Sequence, residues 1–130
     1  MAVFDWMQGA RRKANKDPAF RALGSADATV CFQSGKHGRR VVFQDFQVNS
    51  VAEADVNDIK DGDILIAMST REWNSYLYRR RLGRAPSLLG LDAEKRDVIQ
   101  TKDSIARLQF ERISRSVQAF VDYGASASGR

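Results

Sequence analysis

The feature that most constrains the fold is an apolar stripe near the C-terminus, whose members recur at intervals of four, three, four and three residues: Ala106, Phe110, Ile113, Val117 and Phe120. This spacing places them on one side of an α-helix. A helix of this kind must bury its stripe against another layer of structure. The sequence therefore predicts a layered domain that is closed by a long C-terminal helix.

The bounds of this helix are indicated by the residues that flank it. Asp103 can cap its start, and Gly124 is typical of a helix end, so we expect the helix to run to about Tyr123. Three further apolar residues are expected to widen the stripe: Ile105, Leu108 and Val121. We expect the small-residue segment 125–130 to be a disordered tail.

A second strong feature is the stretch from Ile64 to Gly83, which joins a strand directly to a helix. Ile64 to Met68 form a short apolar run rich in β-branched residues, which is typical of a buried strand. Ser69 and Glu72 then match the Ser-x-x-Glu capping box, which marks a helix start. Gly83 is suited to ending that helix. We therefore expect the chain to fold back across the sheet at this point.

The remaining strands are predicted from alternating apolar residues between turn signals. We expect strands at 29–33 and 40–44, a third strand through Val48 and Val51, and a short strand near Val98. Short turns between successive strands favour antiparallel pairing. The expected fold is α+β, with a mostly antiparallel five-stranded sheet and helices, including the long C-terminal one, covering one face.

Side chains that carry chemistry are sparse. The chain has one histidine, His37, in a turn rich in glycine, and one cysteine, Cys31, in the middle of a predicted strand. A single cysteine excludes a disulfide within the chain and a cysteine-rich metal site. We assign no catalytic residue, no metal ligand and no cofactor, and this favours a binding protein over an enzyme.

The chain is basic, with a net charge of +5. Its arginines and lysines form clusters, one of which spans residues 79–84. Such clusters are typical of solvated faces, and they also suit transient contact with an anionic membrane. We do not expect nucleic acid to be the partner. No apolar stretch approaches the roughly 20 residues that span a bilayer, and no secretory signal is visible, so we expect a cytoplasmic protein.

The order and wording of these segments resemble the sterol carrier protein type two, or sterol-binding, domain family. The stretch "DILIAMSTREWNSYL" has the family's form: an aspartate (Asp63), an apolar strand, and a helix that begins with Glu72-Trp73. "DATVCFQSGKHGRRVVFQDFQVNSV" is similar to its first three strands, and "RDVIQTKDSIARLQFERI" to its last strand and closing helix. The resemblance covers about Ala28 to Val121. The family usually has a glycine in the turn after the second strand, where this chain has Phe46.

The resemblance implies a single sterol-carrier-like domain over residues 1–124. It implies binding and carrying of a hydrophobic lipid- or sterol-like ligand, such as a lipid, a sterol or an acyl chain, without covalent chemistry. The ligand would lie in a cavity between sheet and helices. The expected lining residues are Phe32, Met68, Trp73, Leu77, Leu88, Leu89, Phe110, Ile113 and Val117. Trp73 could either line the pocket or act as a plug that seats its helix.

Two other functions stay open on the sequence. A small enzyme, such as a hydratase or isomerase, could act on an apolar steroid- or terpene-like substrate. It would use Asp45 or Asp92 as a base, with Tyr76 as a proton donor. Alternatively, the protein could be an interaction subunit or homo-oligomer whose C-terminal stripe packs against a partner or its own copy.

Overall fold

A computed structural model of the protein describes residues 3–24, 26–54, 64–95 and 97–128. The helices are α1 (Met7–Lys16), α2 (Pro18–Arg21), α3 (Thr70–Arg81), α4 (Leu88–Lys95) and α5 (Ser104–Ser128). The strands are β1 (Ala28–Ser34), β2 (His37–Gln44), β3 (Gln47–Glu53), β4 (Ile64–Ala67) and β5 (Ile99–Thr101). Asp63, which forms part of the quoted family resemblance, lies outside the described residues, as do 129 and 130 of the predicted tail.

The five strands form one sheet in the order β3-β2-β1-β4-β5. The pairs β1–β2, β2–β3 and β4–β5 are antiparallel, as expected. However, β1 and β4 are parallel, with Val30 opposite Ile64 and Phe32 opposite Ile66. The sheet is therefore mixed, with one parallel pair beside three antiparallel pairs. The reason is that β4 does not extend the meander at β3, and pairs instead with the far side of β1.

One face of the sheet is apolar because alternate residues of its strands point to the same side. These residues are buried: Val30, Phe32, Val41, Phe43, Val48, Ile64, Ile66 and Ile99. Helix α1 packs on β3 and on α5, and α3 packs on α5, so the helices gather on this face. The expected two-layer α+β arrangement is confirmed.

Local capping signals act where the sequence predicts them. At the start of α3, the Ser69 hydroxyl accepts from Glu72 N at 3.1 Å, and Glu72 Oε1 accepts from Ser69 N at 3.0 Å. At the start of α5, Asp103 Oδ1 accepts from Ala106 N at 2.8 Å. These bonds satisfy amides that would otherwise lack a partner within the helix.

The predicted end of the C-terminal helix is wrong, because α5 continues through Gly124 to Ser128. Four of the six residues expected in a disordered tail are therefore helical, and Ala125 is buried. The reason lies in packing against the N-terminal segment. A Cβ atom at Gly124 would lie only 2.0 Å from Trp6 Cε3, so the glycine permits close approach to the indole ring and does not stop the helix.

The apolar stripe of α5 is buried over its whole length from Ala106 to Phe120, and Val121 is buried beside it. The expectation that Ile105 and Leu108 widen the stripe is wrong, since both side chains are exposed. At about 100° per residue, Leu108 points about 160° away from the middle of the stripe. Because the stripe is covered within the chain, it does not provide the partner-binding face of the interaction-subunit hypothesis.

Within the described ranges, no helix is both long enough and apolar enough to cross a membrane.

Candidate functional site

The space between sheet and helices, where the sequence predicts a ligand cavity, is filled by aromatic rings. The Phe4 ring centroid lies 5.5 Å from that of Trp73 and 6.5 Å from that of Phe32. Phe120 completes the cluster, with its centroid 6.0 Å from that of Phe32. The N-terminal segment before α1 thus supplies a ring that fills the centre. Around these rings the described residues form a packed core where the predicted cavity would lie.

Trp73 is buried in this core. Its indole is fully buried, and Nε1 donates to the Gln33 carbonyl oxygen at 2.9 Å. Its ring centroid lies 5.8 Å from that of Phe32. Because the ring is buried and its N–H group is hydrogen-bonded to β1, Trp73 fixes the start of α3 on that strand.

The structure brings the predicted lining residues together on one apolar core. Eight belong to the buried cluster: Phe32, Met68, Trp73, Leu77, Leu88, Phe110, Ile113 and Val117. Leu89 is half-buried and packs against the same cluster. Ligand contact at these residues stays a prediction.

A surface groove touches two of the predicted residues, Leu88 and Leu89. It has a volume of about 400 Å³ and lies between the start of α4 and the middle of α5. Its apolar wall also includes Leu23, after α2, and Ala119 of α5. Polar side chains complete the lining: Ser87, Ser114, Arg115, Gln118 and Asp122. The volume falls within the range of small-molecule pockets, about 300–1,000 Å³.

The side chain of Gln118 holds Leu88, in the apolar wall of the groove, against α5 by a hydrogen bond. Its Oε1 accepts from Leu88 N at 2.6 Å, and its Nε2 donates to Asp122 Oδ1 at 3.0 Å. Nε2 also lies 3.3 Å from the hydroxyl oxygen of Tyr76, which itself donates to the Pro86 carbonyl at 2.8 Å. This network leaves the half-buried Leu89 at the groove surface and Leu88 behind it.

An ion pair forms the rim of the groove on the side of α3. Arg80 Nε and Nη2 donate to the two carboxylate oxygens of Asp122 at 2.8 and 3.1 Å, and these bonds raise the pKa of Arg80 further. Arg80 Nη1 also donates to the Ala85 carbonyl oxygen at 2.9 Å. The bidentate geometry therefore holds the α3–α4 connection against α5.

Sequence reasoning missed Leu23, Ala119, Gln118 and Asp122 as parts of one groove. Gln118 lies off the apolar stripe, a position that on the helical pattern alone is typical of a solvent-facing residue. The signal that could have identified it is an amide and a carboxylate four residues apart on α5, beside the stripe. Their partners lie 30 to 42 residues away in the chain, and no local pattern marks those contacts.

The residues considered for catalysis have structural partners or lie exposed. Asp92 accepts from Ile99 N at 2.9 Å and from Arg107 Nη1 at 3.0 Å, which ties α4 to β5 and α5. Burial raises the pKa of the Tyr76 phenol, and its hydroxyl donates to the Pro86 carbonyl oxygen. Asp45 lies exposed in the turn between β2 and β3. The three residues do not converge on one pocket, and this does not favour the enzyme hypothesis.

The structure also places Cys31 and His37, the two other residues whose side chains could carry chemistry. Cys31 is a buried free thiol whose pKa is raised by burial, and His37 is exposed at the start of β2. Within the described part of the chain, no group of three or more His, Cys, Asp or Glu residues is arranged to hold a metal ion.

Two solved structures superpose on this fold over most of the chain. A crystal structure of sterol carrier protein 2 superposes with a TM-score of 0.66, covering 92% of this chain and 93% of that one at 17% identity. The chain has the fold of sterol carrier protein 2. A solution structure of a conserved hypothetical protein from Thermus thermophilus, described as a candidate sterol carrier protein, gives a TM-score of 0.64. It covers 96% of this chain and 87% of its own, again at 17% identity.

At this level of identity the likeness concerns the fold. No protein-family model matches the sequence, and a search of curated proteins finds no match. The likeness of fold extends over nearly the whole chain.

Proposed function

We propose that this protein binds and carries a hydrophobic lipid- or sterol-like ligand without covalent chemistry. The observation that carries the proposal is the apolar groove of Leu23, Leu88, Leu89 and Ala119 on a sterol carrier protein 2 fold. Binding would come from burial of apolar surface, at about 25 cal/mol per Å² before the cost of ordering the ligand. Such a carrier would act in the cytoplasm, where a free thiol such as Cys31 is stable.

The shape of the groove favours a ligand with an apolar body and a polar end. Its lining combines the aliphatic side chains of Leu23, Leu88, Leu89 and Ala119 with the polar side chains of Arg115, Gln118 and Asp122. A volume of about 400 Å³ suits part of an acyl chain or a compact ring system, and a longer ligand would extend beyond it. A ligand that penetrates further must displace Leu88, whose amide is held by Gln118.

Titration with a fluorescent fatty acyl probe and a fluorescent steroid probe tests this proposal. We expect saturable binding of at least one probe by the full chain. Leu89→Glu should weaken that binding by about tenfold, since about 1.4 kcal/mol of apolar contact corresponds to that factor. Leu108→Glu introduces the same charge at an exposed position outside the groove and serves as the matched control.

Two results would contradict the proposal. One is the absence of saturable binding of both probes to the folded wild-type protein. The other is an equal loss of affinity in the Leu89→Glu and Leu108→Glu variants, which would show that added charge, and not contact in the groove, controls binding. Circular dichroism spectra of both variants establish that each is folded before it is titrated.

A further inference from the structure

The C-terminal end of α3 carries an unusual concentration of positive charge. From Trp73 to Leu91 the sequence has no aspartate or glutamate, and it has four arginines. Asp122 of α5 neutralises Arg80. Within the described chain, Arg79, Arg81 and Arg84 take part in no ion pair. This end of the molecule therefore has a local charge of about +3 with no internal compensation.

Exposed apolar side chains lie among these free arginines. Tyr78 is 57% exposed and Leu82 is 44% exposed. We call Tyr78, Arg79, Arg81, Leu82 and Arg84 together the arginine surface. It includes the last turn of α3 and the residues after it, where Gly83 adopts a φ of +73° and ends the helix.

Arg81 has hydrogen-bonding capacity that the chain does not use. Its guanidinium carbon lies 5.3 Å from the centroid of the Tyr78 ring, and its Nε is buried without a hydrogen-bond partner among the described residues. The Arg81 guanidinium thus lies over the ring of Tyr78, which is itself exposed. A positive charge and an exposed aromatic side chain therefore adjoin at this surface.

We propose that the arginine surface docks this protein on an anionic lipid surface. Free cations together with exposed apolar side chains are what interfacial binding requires, since the charges attract anionic headgroups and the side chains enter the headgroup boundary. Single-stranded nucleic acid would instead need an open aromatic face for stacking, and Arg81 covers one face of Tyr78.

The arginine surface adjoins the groove. Arg80 belongs to the same helical turn, and it binds Asp122, which lines the groove. A lipid surface that contacts the end of α3 would therefore lie near the rim through which a ligand passes. This connection rests on the proposed function, whereas docking itself requires no bound ligand.

Flotation of the full chain with vesicles of phosphatidylcholine and phosphatidylserine in equal amounts tests the proposal. Each basic residue near an anionic surface contributes about fivefold in affinity, so R79Q/R81Q/R84Q should bind about 100-fold more weakly. R79K/R81K/R84K keeps the charge and should keep most of the affinity. R12Q/K13Q/K16Q removes the same charge from exposed positions of α1 and should change the affinity by less than about threefold.

The proposal is overturned if the wild-type protein does not float with these vesicles at low salt, or if the two glutamine triplets lose affinity equally. It is also overturned if the arginine surface binds a single-stranded oligonucleotide more tightly than it binds the vesicles. The acyl and steroid probe titrations, repeated on R79Q/R81Q/R84Q without vesicles, separate the two proposals. In this variant, lost flotation with intact probe binding supports docking, whereas flotation equal to that of the wild type refutes docking at this surface. A wild-type protein that floats but binds neither probe refutes only the carrier function.

Discussion

Gly124→Ala should destabilise this protein, although the same replacement usually stabilises a helix. Alanine is favoured over glycine inside helices by about 1 kcal/mol. At Gly124, however, the added Cβ would lie 2.0 Å from Trp6 Cε3 and 2.7 Å from Cδ2 and Cζ3. Comfortable contact between carbon atoms begins near 3.5 Å. The indole cannot move away easily, because it is buried with its centroid 5.5 Å from that of Phe120.

The expected magnitude follows from two opposing effects. Overpacking of a close-packed core costs about 1–3 kcal/mol. The upper end applies here, because the obstacle is a ring and not the free end of a flexible side chain. After subtracting the gain in helix propensity, Gly124→Ala should lower the free energy of unfolding by about 2 kcal/mol.

Gly9 provides a matched control in α1. A Cβ atom there would contact only Arg12 Nη2, at an ordinary 3.8 Å. Gly9→Ala should therefore raise the free energy of unfolding by about 1 kcal/mol. Urea unfolding followed by far-UV circular dichroism measures both variants. If Gly124→Ala stabilises the protein as Gly9→Ala does, the packing of Trp6 against α5 described above is wrong.

Three further changes test local features of the fold. Ser69→Ala removes the hydroxyl that caps α3 and should cost about 1 kcal/mol in urea unfolding; no change would contradict the capping role. Trp73→Phe removes one of the two donors to the Gln33 carbonyl oxygen, which keeps its bond from Met68 N, and it leaves space beside the smaller ring; it should cost about 1–3 kcal/mol, and a neutral result would mean that the indole does not seat α3 on the sheet. Hydrogen bonds from the Ser69 amide and Lys95 lower the pKa of Glu72 from 4.5 to about 2. Because the folded-state pKa is the lower one, the stabilisation from this carboxylate is complete above pH 4.5 and is lost as the pH falls toward 2. Glu72→Gln should therefore be less stable than the wild type at pH 7, with a deficit that shrinks over that interval; a deficit independent of pH would refute this.

The sequence predicts local structure well because the signals and their partners are close in the chain. The capping box at Ser69 and Glu72 and the cap at Asp103 act within three residues. A turn is also expected after the second strand, and there Asp45 and Phe46 have φ values of +55° and +65°. A bulky residue at positive φ is uncommon, so Phe46 adopts this turn geometry without the freedom of a glycine.

Contacts between distant segments were beyond the sequence pattern. The turns of the meander predict how β1, β2 and β3 pair, but nothing local indicates that β4 pairs in parallel with β1. Gly124 has the appearance of a helix stop until the position of Trp6 is known. Phe4 likewise belongs to the apolar N-terminus on sequence grounds, yet only the tertiary structure places its ring against Trp73, in the space expected to hold a ligand.

The candidate site was predicted in part for the same reason. The family resemblance implies a lining of apolar residues, of which Leu88 and Leu89 reach a groove. The polar rim depends on side-chain bonds between α3, α4 and α5, such as the Arg80–Asp122 pair. Charge patterning identified the arginines after Tyr78, but which of them is neutralised is decided only by the position of Asp122.

Native mass spectrometry of freshly purified protein is the sharpest test of the proposed carrier function, because it detects a bound ligand whatever its chemical identity. We expect an adduct above the 14.6 kDa chain whose excess mass is extracted by organic solvent and identified as an apolar lipid- or sterol-like molecule. The adduct should be depleted in Leu89→Glu and retained in Leu108→Glu. A bare chain under gentle conditions, which also fails to take up acyl and steroid lipids added in excess, would refute the carrier function.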